Sequence, residues 1–475
     1  MLRGRMGHGP GPVYDEGWRV MGRRTAWWRA AARRGRGPVG RVAAVGVVLG
    51  MAAVVPGGSP AVAAGAPGSY AFDEDARSVR GATSTGEAEG LAPGTTYRSS
   101  LPATGERYYR LELDATSNVY VSVTAVPPPG ATVSAGDGVK VSVQDADSHT
   151  CSVDTVSIGA GRSAHPITAM GEREATRSGS ICKGAGTFYV VVERVQRTAD
   201  VSPSLLGEWD LELEPVSEPG LTQAGATSAP EVWDSASPAL PSGEPERREG
   251  GAGFGAATSL GEGVWQDDVR PGQTLFYEVP VDWGQQLYAT AELGSASSDA
   301  GFVPSALTLS LYNPVRAHVD YDGVAYDGSQ RSATLRPLPP VAYANRFDVA
   351  DHVSGMRFAG SYYLVVHLAA QTADDFGDGP FDLTLRVRVA HGAEAGPAYA
   401  GQSEPRDIFQ VTAQGQRETA ASEGGAASAA GGNALMKVIA AGGLGGGTVV
   451  LAVLGVWMGL GRRREPVRTR GAVGR

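Results

Sequence analysis

The chain has 475 residues, 42% of them hydrophobic, with 41 Lys and Arg against 50 Asp and Glu for a formal charge of −9. That length supplies cores for two or three domains. The acidic balance repels phosphate backbones and excludes nucleic acid as the partner.

Residues 1–41 hold ten Arg, no Lys and two acids, and lead into an apolar run from Val42 to Val55 followed by small residues at Ala61, Ala63 and Ala64. This is the pattern of a secretory signal over 1–64; an uncleaved membrane anchor is the alternative. Met21 is a second candidate start. Arg23-Arg24 and Arg33-Arg34 leave twin-arginine export open beside the general route.

An acidic, flexible lead, 65–90, precedes a first β-unit over 91–216, read as six to eight strands with period-two alternation. Its expected inward set is Leu111, Leu113, Val119, Val121, Val123, Val139, Val141 and Val143. Cys151 and Cys182 are the only cysteines and lie in the exported part, where pairing is the default. Residues 217–252 are rich in Pro, Ser, Gly and charge, and are expected as a disordered linker.

A second β-unit over 253–390 repeats the first. Tyr108-Tyr-Arg-Leu-Glu-Leu113 and Asn118-Val-Tyr-Val-Ser-Val123 face Phe276-Tyr-Glu-Val-Pro-Val281 and Gln286-Leu-Tyr-Ala-Thr-Ala291 at a constant offset of 168 positions. The echo returns as Phe188-Tyr189 against Tyr362-Tyr363, and as Trp209-Asp-Leu211 against Phe381-Asp-Leu383. Tyr189 with Tyr363, and Trp209 with Phe381, are expected core aromatics. Short strands without amphipathic helices predict an all-β chain of two tandem antiparallel β-sandwiches.

An Ala/Gly/Ser-rich stalk, 391–437, with one short strand expected at Asp407–Thr412, leads to 438–461. That segment carries no charge and is about 36 Å long as a helix, enough to cross roughly 30 Å of hydrocarbon. Its GxxxG pairs, Gly442 with Gly446 and Gly443 with Gly447, suit self-association of spans, or simply reflect glycine-rich composition. The basic tail, 462–475, predicts a cytoplasmic C-terminus, which makes the chain a single-pass membrane protein with its ectodomain outside. Residues 65–436 then hold 24 basic and 47 acidic side chains, net −23.

The strands Tyr108–Leu113, Asn118–Val123, Lys140–Asp147, Gly186–Glu193 and Trp209–Glu214, with their second copies, resemble the bacterial pre-peptidase C-terminal family. That resemblance implies small jelly-roll-like modules that sit beside exported enzymes or adhesins and bind surfaces or assist secretion. Val279-Pro-Val-Asp-Trp-Gly-Gln-Gln-Leu-Tyr288 is also similar to a segment of actinobacterial exported single-pass membrane proteins. Some of these carry a von Willebrand A domain, whose DxSxS metal motif is missing from this sequence.

No GxSxG, HExxH, CxxC or P-loop pattern occurs. Leu101-Pro-Ala-Thr-Gly105 matches a sortase signal but lies far from the apolar span, and reads as a hairpin turn. Ser180-Ile-Cys-Lys183 has the spacing of a Ser/Lys nucleophile pair, which requires a helical turn, whereas here it abuts a strand. Asp320, Asp322 and Asp327 in one loop are either solvated turns or ligands for a hard cation such as calcium. Trp283, at a turn tip where the other copy has Ala115, is either a contact residue or one folded onto the sandwich. The expectation is a non-catalytic surface interaction or scaffold protein without a cofactor. Its partner would be an envelope protein or a cell-wall component. The alternative is an accessory subunit of an exported peptidase or wall hydrolase.

Overall fold

The computed structural model describes residues 69–175, 182–196, 207–223, 225–297 and 301–411. Packing divides the chain into residues 1–62 and 63–475, and all described residues belong to the second unit. The leader 1–64, the span 438–461 with Gly442, Gly443, Gly446 and Gly447, and the basic tail lie outside the described residues. Among the described residues no helix is long and apolar enough to cross a membrane.

The first copy is built from β1 (Arg77–Ser78), β2 (Glu89–Gly90), β3 (Tyr97–Leu101), β4 (Glu106–Leu113), β5 (Asn118–Val126), β6 (Gly138–Asp145), β7 (Thr150–Ser157), β8 (Ile167–Arg173), β9 (Gly186–Val195) and β10 (Trp209–Glu218). The second copy contains β11 (Glu246–Arg247), β12 (Thr258–Ser259), β13 (Gly263–Val269), β14 (Thr274–Val281), β15 (Gln286–Leu293), β16 (Val303–Tyr312), β17 (His318–Tyr326), β18 (Arg331–Thr334), β19 (Gly360–Leu368) and β20 (Phe381–Ala390). Two short helices, α1 (Asp351–Ser354) and α2 (Thr372–Phe376), are confined to the second copy.

The sheets run β1-β3-β10-β5-β8 and β2-β4-β9-β6-β7 in the first copy, and β11-β13-β20-β15-β18 and β12-β14-β19-β16-β17 in the second. Strand for strand these orders are the same. In each copy the eight longer strands divide four and four between two antiparallel sheets, with β6 and β7, and β16 and β17, consecutive in one sheet, as in a jelly roll, a sandwich of two Greek keys. A two-residue strand is added in parallel at one edge of each sheet.

Period-two alternation puts one parity of each strand between the sheets. Leu111, Leu113, Val119, Val121, Val123, Val139, Val141 and Val143 are all buried in one core, and Leu275, Tyr277, Leu309, Leu311 and Leu364 in the other. Trp209 and Phe381 take equivalent core places. At the paired aromatics the parity is the reverse of the expected one: Phe188 and Tyr362 point inward, while Tyr189 and Tyr363 are only partly buried. Two adjacent aromatics satisfy either register, and the ladder of β9 and β19 selects the first of each pair. Cys151 and Cys182 form a disulfide. Leu101-Pro-Ala-Thr-Gly105 ends β3 and turns into β4, with Gly105 at φ 88°.

Two segments depart from the sequence reading. Residues 234–241, expected within a disordered linker, run across the outer face of the second copy, where side chains of β15 and β20 take up their carbonyls. Gln286 donates to Asp234 O, Tyr288 to Ala236 O, Arg388 to Ala239 O and Arg386 to Pro241 O. The described part of the stalk, 391–411, returns to the first copy, with Tyr399 bridging Leu221 and Glu404 bridging Ser217. Asp407–Gln410 is a turn rather than a strand, and it delivers Phe409 into a buried aromatic cluster.

Candidate functional site

The two sandwiches share a closed joint. The outward parity of β5, β8 and β10 in the first copy meets the outward parity of β14, β16 and β19, and the loops around α1, in the second. Tyr70, Phe254, Phe276, Tyr312 and Val365 form one apolar cluster there. A second contains Tyr120, Val216, Val315, Phe358 and Phe409, with Phe358 stacked on Phe409 at 4.7 Å.

Between the clusters run three arginines from the second copy and five carboxylates from the first. Arg316 Nη1 lies 2.7 Å from Glu212 Oε1 and its Nε lies 2.7 Å from Glu214 Oε2; the second approach is an ion pair without hydrogen-bond alignment. Arg346 meets Glu218 at 2.7 Å. Arg357 spans Glu172 and Glu174 at 2.8 and 2.9 Å. Glu218 also accepts from Asn118, Tyr120 and Tyr399. Burial favours its neutral form, but Arg346 and these donors outweigh burial and hold the carboxyl below its ordinary range. At Glu214 burial wins over Arg316 and the carboxyl is pushed up. Each arginine already has its carboxylate.

A groove of about 430 Å³ runs along the joint. Its lining includes Asp154 of β7, His318 at the start of β17, and Asp348 and Asp351 around the start of α1, together with Arg346 and Arg357, whose guanidinium groups are taken up by Glu218 and by Glu172 and Glu174. None of these three aspartates forms an ion pair among the described residues; two of them receive backbone N–H groups, Asp154 from Met170 and Asp348 from Ala350. Burial lowers the His318 pKa, against the opposing pull of Asp320, Asp154 and Asp351. Val153 and Val349 also line the groove, and Val349 is 98% exposed. The groove therefore offers unpaired negative charge beside apolar surface. This fits a segment bearing Lys or Arg and an aliphatic side chain.

The residues singled out from sequence lie elsewhere and are used differently. Asp320 pairs with Arg336 Nε at 2.7 Å and accepts its amide. Asp322 accepts from the Thr334 amide, and Asp327 from Ser329 while pairing with Arg331. All three carboxylates are committed to joining β17 to the strand that follows it, so the arrangement is a stitched corner rather than a cation cage. A different trio, Asp145, Asp147 and His149, brings three ligand-type atoms within 4.8 Å. Asp145 there accepts from the amides of Asp147 and His149 and from the His149 ring, which accounts for the cluster as a turn.

Trp283 is buried, 8% exposed, within the second core, and the chain at Gly396 lies against its indole. It is therefore a packing residue and not a contact tip. Lys183 follows the disulfide on the approach to β9; Ser180, the other half of the Ser/Lys spacing, lies outside the described residues.

The groove residues carry no motif. Asp348-Val-Ala-Asp351 reads as an ordinary acidic turn, and the only signal in the sequence is the net charge of residues 65–436.

No protein-family model matches this chain, and no curated protein matches it. Solved structures with some similarity include the tandem CBM22-1 and CBM22-2 domains of Xyn10C from Paenibacillus barcinonensis, at 10% identity over 62% of this chain and 85% of that one, with a TM-score of 0.16. The CUB1-EGF-CUB2 region of human MASP-1/3 matches at 10% identity over 62% of this chain and 98% of that one, TM-score 0.17. The tandem CBM51 modules of a family 98 glycoside hydrolase from Streptococcus pneumoniae match at 8% identity over 62% and 83%, TM-score 0.17.

Proposed function

We propose that this chain is a non-catalytic cell-surface binding protein whose two jelly rolls act as one body. It is held outside the membrane by the C-terminal span, and it receives a basic, partly aliphatic segment of an envelope protein in the groove across the joint. The observation that carries this reading is the set Asp154, Asp348 and Asp351, without basic partners among the described residues, beside exposed Val153 and Val349. The resemblance to pre-peptidase C-terminal modules, which accompany other exported proteins, supports the same reading. So does the net charge of −23 over residues 65–436, which attracts a basic partner over about one Debye length.

The test is fluorescence anisotropy of a labelled peptide of alternating Lys and Val with the purified full chain. Binding should weaken as salt rises and be lost in the Asp154→Asn, Asp348→Asn, Asp351→Asn triple variant. Equal binding by parent and triple variant would exclude the groove as the site. Hydrolysis of peptide or wall polymer by the purified chain would exclude the non-catalytic reading.

A further inference from the structure

We propose that a cleft at the edge of the first jelly roll binds the carboxylate of a hydroxyl-rich anion, of the kind a sugar acid presents. This site is separate from the groove and does not depend on it.

The cleft has a volume of about 630 Å³ and lies where residues 79–88 cross from β1, at the edge of one sheet, to β2, at the edge of the other. The same crossing exists in the second copy. Arg77 to Glu246 and Glu89 to Thr258 are both separated by 169 positions, so Gly81 corresponds to Gly250 and Arg80 to Glu249. On the strands, where the offset is 168, Ser99 corresponds to Asp267, Ser100 to Asp268, Arg107 to Leu275 and Tyr109 to Tyr277.

In the second copy the crossing contains a carboxylate of its own. Asp267 is 5% exposed. Its Oδ2 accepts from Tyr277 Oη at 2.7 Å and from the Gly250 amide at 2.8 Å. Asp268 beside it pairs with Arg247 at 2.8 Å.

The first copy keeps the donors and removes the acid. Tyr109 Oη donates instead to Ser99 Oγ at 2.8 Å, and the Gly81 amide has no acceptor among the described residues. The glycine is required, because a Cβ at Gly81 would lie 2.8 Å from Tyr109 Oη and 2.7 Å from Arg107 Cδ.

Charge changes in the same direction. Arg80 and Arg107 line the cleft where the second copy has Glu249 and Leu275, and neither guanidinium forms an ion pair among the described residues. Arg107 donates only to Glu106 O. The twin thus displays, built in, the group that the first copy is shaped to take from outside. A carboxylate there would meet the Gly81 N–H, the Ser99 hydroxyl, itself held by Tyr109, and guanidinium charge, donors of the kind that bind carboxylates strongly. Glu87 and Glu89, which stand where the second copy has Ala256 and Thr258, partly offset that charge and supply acceptors for ligand hydroxyl groups, and Thr83 adds a hydroxyl.

Isothermal titration of the full chain with sodium glucuronate tests this, with methyl glucoside as the uncharged probe and acetyl-alanyl-alanine as a peptide carboxylate. Glucuronate is expected to bind saturably and methyl glucoside at least ten-fold more weakly. Ser99→Asp, which installs the twin's own carboxylate, should weaken glucuronate binding at least ten-fold with the melting temperature nearly unchanged. If that variant fails to fold, Arg107→Leu, which restores the twin's residue, is expected to weaken binding in the same way. The groove triple variant should bind glucuronate like the parent, which separates failure of this site from failure of the groove. Absence of saturable binding, or equal binding by parent, Ser99→Asp and Arg107→Leu, would overturn the proposal. Tighter binding of acetyl-alanyl-alanine than of glucuronate would overturn its hydroxyl-rich part.

Discussion

Arg346 and Glu218 meet across the joint in a two-pronged contact, with Nη2 to Oε1 at 2.7 Å and Nη1 to Oε2 at 3.1 Å, and their side chains are only 4% and 0% exposed. Removing one member of such a pair leaves the other charged and unsolvated, at a cost of about 3–5 kcal/mol. Arg346→Met should therefore destabilise the chain by about that amount in urea unfolding, and adding Glu218→Gln should restore more than half of it. A near-neutral single variant would mean that water reaches Glu218 and that the joint is open in solution.

Trp283 carries a second prediction, because its indole is packed in the core and covered by the chain at Gly396. Trp283→Ala should cost about 3–5 kcal/mol through lost burial and the resulting cavity, read as a lowered thermal midpoint. An unchanged midpoint would return Trp283 to the surface.

The disulfide closes a loop between residues 31 positions apart. Chain entropy places its contribution at about 3–4 kcal/mol, all of it within the first jelly roll. Replacing Cys151 and Cys182 together with Ala should lower stability by that amount against denaturant.

Acid should loosen the joint through His165 and His367, whose rings stack at 4.5 Å between the two copies. Each Nδ1–H points at a carbonyl, Ser163 O and Gln273 O respectively, and Thr274 Oγ1 also approaches the His367 ring. His367 Nε2 is buried without a partner. Burial lowers both pKa values, and at His367 the neighbouring His165 lowers it further. For a base with a depressed folded pKa, stability is complete above the unfolded value of about 6.5 and declines as pH falls below it. Glu214 runs the other way, since its raised carboxyl takes up a proton more readily when folded. The expected result is a melting temperature that falls between pH 6.5 and 5, and a shallower fall in His367→Phe. Identical slopes would remove the stacked pair as the cause.

Much of the fold was legible because alternation along a strand reports burial directly. Val119, Val121 and Val123, and Val139, Val141 and Val143, announce an inner face, and their repetition at a fixed offset announces a second copy. The Phe188-Tyr189 and Tyr362-Tyr363 pairs misled because neighbouring aromatics look the same in either register. The joint was not legible at all. Glu212, Glu214 and Glu218 keep the parity opposite to Leu211 and Leu213, as a solvated outer face would, and their partners Arg316 and Arg346 come from loops more than 100 positions away. Nor did low apolar content leave 234–241 unplaced, because its carbonyls are held by Gln286, Tyr288, Arg386 and Arg388 rather than by a core of its own.

The order of residues by itself determined two all-β sandwiches, their inner faces and the availability of Cys151 and Cys182 to each other, because these depend on local period and on composition. Only the tertiary structure decided that the outer faces of β10 and β19 close on one another, that Trp283 is covered, and that Ser99 accepts from Tyr109 where Asp267 accepts from Tyr277. Those outcomes depend on which distant side chain arrives opposite, and neither periodicity nor composition records the pairing of two surfaces.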